Sequence, residues 1–260
     1  MQENVFHYTS YQALLGIIQK NEIIFHGSRH DCMNDPNDCM FARNIVLPAI
    51  LANLEHSKFT EKEKEVIESF PYVVSFSEKE DDKFMWEHYG SQVCLVLSSD
   101  EIKRECDTSR EHLGIWGKCR YAENDDVPKI FSKIFNTKPQ SDKIVDNVME
   151  ACSFIKRKAF QIEKEWRLVA NDYNTFYLQP DGKCVDAEIP DKNTKFKSDI
   201  KGYIMPYKEF RIAPSALKGI IVNEDNPSDF FRIKHHIELL LIKNGFTSDI
   251  KIKQTNKYPF

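Results

Sequence analysis

In Glu163-Lys164-Glu165-Trp166-Arg167-Leu168-Val169-Ala170, two carboxylates and a guanidinium recur at every second residue. A strand points successive side chains to opposite faces, so this spacing predicts Glu163, Glu165 and Arg167 on one face and Trp166, Leu168 and Ala170 on the other. Paired carboxylates can stabilise a developing cation or relay a proton. An exposed Glu–Arg surface pair, worth little energetically, accounts for the spacing equally well. The apolar residues on the alternate face favour a packed back side and a charged side facing a cleft. Trp166 is therefore expected in the core and Glu165 outside it.

Two further groups could contribute. His7-Tyr8-Thr9 places three hydrogen-bonding side chains just before an expected helix start, where free backbone N–H groups suit an anionic ligand. Met85-Trp86-Glu87-His88-Tyr89 carries aromatics at i, i+1 and i+4, a spacing that serves core packing or a platform for a planar cationic ring. Adjacent His235 and His236 point about 100° apart on a helix and read as surface residues.

The elements expected to position these residues follow from periodicity and caps. A strand over 4–8 leads into a helix over 10–20, with Thr9 and Gln12 as its capping box and Leu14, Leu15 and Ile18 as its buried stripe. A strand at 23–25 precedes the polar loop GSRHDCMNDPND, where Asn-Asp-Pro marks a turn. Helices are expected at 41–54, 61–69, 83–89, 126–135, 141–160 and 228–243. Strands are expected at 72–76, 93–97, 163–170, 176–179, 203–206, 217–222 and 248–253. In the 141–160 helix, Ile144, Val148, Cys152 and Ile155 form the apolar stripe. Scattered strands and helices without βαβ regularity indicate an α+β fold, and all 260 residues read as one domain.

Composition excludes several classes. With 41% hydrophobic and 29% charged residues the chain has enough apolar material for a core and is not disordered. No apolar run reaches the roughly 18–20 residues that cross a bilayer, and the start MQENVFHYTS is no export signal, so a cytoplasmic protein is expected. Seven scattered cysteines without a C-x-x-C pair indicate reduced thiols rather than disulfides or zinc. The net charge of −4 conceals a basic stretch at 190–218, with six lysines and Arg211 against three acidic residues. No G-x-G-x-x-G or G-x-x-x-x-G-K-[ST] loop is present, so a nucleotide would have to bind in another way.

The ordered series HYTS, NDP, SFS, MWEHY, EKEWR, GYIMPY and LKGIIV resembles the bacterial family of unknown function numbered 2971, over nearly the entire chain. The His-Tyr-Thr start is similar to that of ADP-ribosyltransferases acting on nucleic acids, and Glu163-x-Glu165 resembles the E-x-E signature of toxin-like members. That resemblance implies a split mixed sheet flanked by helices and an NAD site. In it, His7 would hold the ribose, Tyr8 or Tyr89 would cradle nicotinamide, and Glu165 would contact the nicotinamide ribose. Glu163 would serve the acceptor, with Thr9, Trp86 and Arg167 beside the dinucleotide. Ser75 and Ser77 receive no catalytic part.

The leading expectation is therefore an NAD-dependent ADP-ribosyltransferase or NAD glycohydrolase. It would be a toxin or abortive-infection effector in antiviral defence, acting on a nucleic-acid or protein acceptor and held in check by a neutralising partner protein. One alternative is a magnesium-dependent nuclease built from Asp35, Glu163 and Glu165. Another is a non-catalytic nucleotide or nucleic-acid sensor that uses the basic 190–218 stretch.

Overall fold

The computed structural model describes residues 3–33, 35, 38–46, 71–89, 91–108, 114–135, 151–170, 177–178, 184–185, 194–198 and 202–255. The expected helix 61–69, the second half of helix 41–54, and residues 141–150 of helix 141–160 lie outside these.

The chain begins with β1 (Asn4–Thr9), α1 (Tyr11–Ile17), β2 (Ile18–Gln19) and β3 (Glu22–Arg29). Ser10, not Thr9, caps α1, its hydroxyl accepting from the Ala13 N–H at 3.1 Å. The helix is shorter than expected because the chain turns back at Ile18, which is buried in β2, while Leu15 points outward at 61% exposure. Residues 40–46 are helical. Then come β4 (Tyr72–Ser77), α2 (Lys83–His88), β5 (Val93–Ser98), α3 (Ser99–Thr108), β6 (Ile115–Lys118), β7 (Arg120–Ala122) and α4 (Val127–Phe135). β8 (Ile155–Arg157), β9 (Glu165–Ala170), β10 (Tyr177–Leu178), β11 (Cys184–Val185), β12 (Lys195–Ser198), β13 (Ile204–Ile212) and β14 (Leu217–Val222) follow. The chain closes with α5 (Pro227–Lys243) and β15 (Lys251–Gln254).

The architecture is mixed α/β, with a multi-stranded sheet flanked by helices. Eleven strands form one sheet in the order β12-β13-β3-β4-β1-β5-β14-β15, with β2 beside β3 and with β9 joining β4 to β6. Pairing is antiparallel except for β14 with β15. β4 is the branch point. Along one edge it pairs with β9 over all six residues, and along the other it meets β3 only at Tyr72 and Val73 and β1 only at Ser77. β1 and β3 therefore diverge from β4.

The faces are covered differently. On one, Leu14 and Ile17 of α1, Ile102 of α3, and Phe230, Ile237 and Leu241 of α5 pack on Val5, Phe25, Val74, Phe76, Leu95 and Leu97. On the other, Trp86 of α2 packs on Phe6, Cys94, Val96 and Ile221. There too, Cys39 and Phe154 cover Val73 and Val169. At roughly 1.5–3 kcal/mol per fully buried large apolar side chain, these clusters supply the folding drive.

Two sequence expectations fail at the strand that matters most. Glu163 does not belong to β9; it ends a 3-10 segment, Lys158–Glu163, and Lys164 turns the chain through a left-handed conformation at φ 45°. The 141–160 helix stops by 153, where the chain turns into β8 beside β7, so Ile155 is a buried strand residue.

Candidate active-site cleft

Register places the carboxylates. Phe6 stands opposite Ser77, and Ser77 opposite Glu165, so Phe6, Tyr8, Ser75, Ser77, Glu165 and Arg167 share one face of the sheet. Of these, Phe6, Tyr8, Ser75 and Glu165 line a cleft with Met85 and Tyr89 of the α2 region, and Glu163 reaches it from the 3-10 segment. The cleft holds about 50 Å³ of water-accessible space, room for a very few water molecules.

Beneath it lies a buried ionic cluster. Lys156 Nζ is 2.5 Å from Glu163 Oε2, 2.7 Å from Glu165 Oε2 and 3.3 Å from Asp38 Oδ2. Arg167, fully buried, grips Glu165 with Nε at 2.9 Å and a terminal nitrogen at 3.0 Å. The same guanidinium bonds Asp38 and donates to the Ser153 carbonyl at 2.8 Å. The apolar face of β9 is packed as expected, with Leu168 in the core, but the charged face is buried as well. Glu165 is 3% exposed, whereas Trp166 is only half-buried, stacked on Trp116 at 5.2 Å and donating to Glu78 at 2.9 Å. Carboxylates can occupy the interior because two cations pair with them; without those cations the desolvation cost would be several kcal/mol per ion.

Burial alone would raise the Glu165 pKa, but the charges of Arg167 and Lys156 outweigh it and hold the carboxyl at about 2. Burial also acts to lower the Lys156 pKa, and the neighbouring carboxylates, Glu165 foremost, reverse it to a raised value. Three carboxylates face two cations, leaving one formal negative charge beside the cleft. A carboxylate offers about four acceptor positions. Arg167 and Lys156 fill three on Glu165, two on Oε2 and one on Oε1.

The aromatic walls are set differently. The Tyr8 hydroxyl is committed, donating to the Lys79 carbonyl at 2.6 Å and accepting from the Asp82 N–H at 2.9 Å, so Tyr8 offers its ring. Burial raises the Tyr8 pKa. Tyr89, 41% exposed, stands at the mouth beside Glu163; burial and then the Glu163 charge raise its pKa.

Several expected site residues lie elsewhere. His7 is one residue out of phase with Phe6 and Tyr8, so it points to the opposite face, between Phe25 at 4.8 Å and Phe76 at 5.4 Å. Its Nδ1 bonds the Ser75 carbonyl at 2.9 Å, in the gap where β1 and β3 diverge. Trp86 is a core residue whose indole N–H donates to Asp81 at 2.9 Å. Thr9 pairs with Val93 at the strand end and does not line the cleft. Arg167 lies under the cleft rather than in it. Asp35 is paired with Arg157 and does not join the Glu163–Glu165 pair through any hydrogen bond among the described residues. No group of three or more His, Cys, Asp or Glu able to hold a metal occurs among the described residues.

Sequence reasoning missed Lys156 and Asp38. Lys156 falls within the helix expected over 141–160, and β8 gives no periodic signal in three residues. Asp38 sits in the polar loop, where only the early Asn-Asp-Pro turn hinted at a role.

Burial of His7 fixes a pH dependence. Desolvation lowers its pKa from 6.5 to about 4, against the opposing Ser75 hydrogen bond. The unfolded chain then takes up the proton first as pH falls, so stability present above 6.5 is lost on the way down to about 4. The loss is up to roughly 3 kcal/mol. Thermal melts of wild type and His7→Asn across this range should diverge, the variant lacking that component; parallel curves would refute it.

Residues 85–168 match the family Protein of unknown function (DUF2971). The DUF2971 segment is about a third of the chain and runs from α2 through most of β9. It contains Tyr89, Lys156, Glu163, Glu165 and Arg167, whereas Tyr8 and Asp38 come from outside it. No curated protein and no solved structure matches the chain. No described helix is long and apolar enough to cross a membrane.

Proposed function

We propose that the cleft binds NAD and breaks its bond to nicotinamide, as an ADP-ribosyltransferase or NAD glycohydrolase does. The observation carrying this reading is the uncompensated negative charge of the Asp38–Glu163–Glu165–Lys156–Arg167 cluster beneath a cleft walled by Phe6, Tyr8 and Tyr89. Aromatic faces and a net negative floor suit a planar cationic ring, which is what nicotinamidium is. Loss of nicotinamide develops positive charge on the ribose, and a fixed carboxylate stabilises that oxocarbenium-like state without reorganising.

In this reading Glu165, held from below by two cations, is the fixed carboxylate. Glu163 is bound by one cation and is freer to take a proton from an attacking nucleophile. His7 has no part in this reading. A nicotinamide ring exceeds the present cleft, so binding requires Tyr89, at its mouth, to swing outward.

The test is nicotinamide release from NAD by the purified protein, with and without RNA, DNA and protein acceptors. Release that persists with a chelator supports the proposal. Binding of NAD without release would leave only a sensor, and chelator-sensitive cleavage of nucleic acid without nicotinamide release would replace it with the nuclease reading.

A further inference from the structure

α5 carries two apolar faces. Phe230, Ile237 and Leu241 face the sheet and are buried. On the opposite side Phe231, Leu239 and Ile242 are 66%, 52% and 62% exposed, and His235 lies among them. At 100° per residue, Phe231, His235, Leu239 and Ile242 fall within an arc of about 80°, a continuous stripe along three turns. Three large apolar side chains aligned on one solvent-facing helix stripe are the pattern of an interface, unlike hydrophobics scattered singly.

We infer that this stripe joins two copies of the chain through antiparallel α5–α5 packing about a two-fold axis. The stripe is self-complementary in that orientation. An axis crossing the helix between His236 and Ile237 sets Phe231 of one copy against Ile242 of the other, and His235 against Glu238. Glu238 also comes within one residue of the other copy's Lys234 on the same flank. Within the helix Glu238 lies 3.8 Å from Lys234 and 4.0 Å from His235, so the Lys234 and Glu238 charges are held at the rim of the stripe. On the other flank, Asp229, bound to Arg232 at 2.7 Å, offsets the approaching Lys243. Closed two-fold pairs are the commonest form of self-association. One helix pair buries less than the standard interface of about 800 Å² per partner, so the dimer is reversible and concentration-dependent.

The experiment is sedimentation of the full chain from low-micromolar to near-millimolar concentration, with circular dichroism to verify folding of each variant. Wild type should pass from monomer to dimer. Phe231→Asp, at an exposed position, should stay folded and weaken association at least about tenfold, the equivalent of roughly 1.4 kcal/mol. Glu238→Lys should also weaken it, and His235→Glu combined with Glu238→Lys should restore it, because exchanging the charges re-pairs them across the axis. A wild type that remains monomeric throughout overturns the inference. So does a dimer indifferent to Phe231→Asp, failure of the exchanged pair to restore association, or a monomer whose stripe instead binds anionic lipid vesicles.

Discussion

Arg167→Met should lower stability by about 3–5 kcal/mol, the largest loss expected for a single substitution in this protein. The guanidinium is fully buried and satisfies both oxygens of Glu165, one of Asp38 and the Ser153 carbonyl. Methionine fills similar volume but leaves three buried carboxylates facing Lys156 alone. Arg167→Lys should recover only part of the loss, since an ammonium cannot reproduce the bidentate fork. Denaturant unfolding of the three proteins is the measurement. A cost under about 1 kcal/mol for Arg167→Met would mean that the cluster is hydrated rather than dry.

Glu165→Gln should reduce nicotinamide release by about 10²–10³-fold, the range seen when one electrostatic stabiliser of a transition state is removed. The substitution has a second consequence. Both Glu165 oxygens accept hydrogen bonds, and glutamine replaces one of them with an NH₂ group directed at Lys156 or Arg167. About 1–3 kcal/mol of stability should go with it, so rates must be compared where both proteins are folded. Glu163→Gln provides the contrast: transfer to an acceptor should fall more than hydrolysis by water, because water is small enough to position itself. Unchanged release in Glu165→Gln would remove Glu165 from the chemistry.

Much of the framework was legible in the amino acids. β1, β4, β5, β14 and α5 lie within a residue or two of where periodicity and capping place them, because each combines a long periodic pattern with a clear boundary such as Asn226-Pro227. β6, β7, β8 and β12 were not legible. Strands of three or four residues carry too few alternations to show a period, and they exist because a neighbouring edge accepts their backbone hydrogen bonds. α3 was also missed, its only fully buried apolar residue being Ile102.

Alternation alone sorted the side chains of Glu165–Ala170 into two sets, and the register with β4 keeps those sets intact. It could not say that the charged set is buried as well as the apolar one, since period two divides a strand without setting how deep either face lies. That depended on Asp38, 129 positions from Arg167, and on Lys156, which together turn a charged face into a neutralisable interior. The same holds for His7 and Tyr8. Their adjacency in sequence guarantees opposite faces, and only the pairing of Phe6 with Ser77 decides that Tyr8 faces the carboxylates while His7 enters the core. Residue types and local spacing therefore determined which groups could do chemistry. Tertiary structure decided which of them meet, because charge compensation and strand register are set by partners far away along the chain.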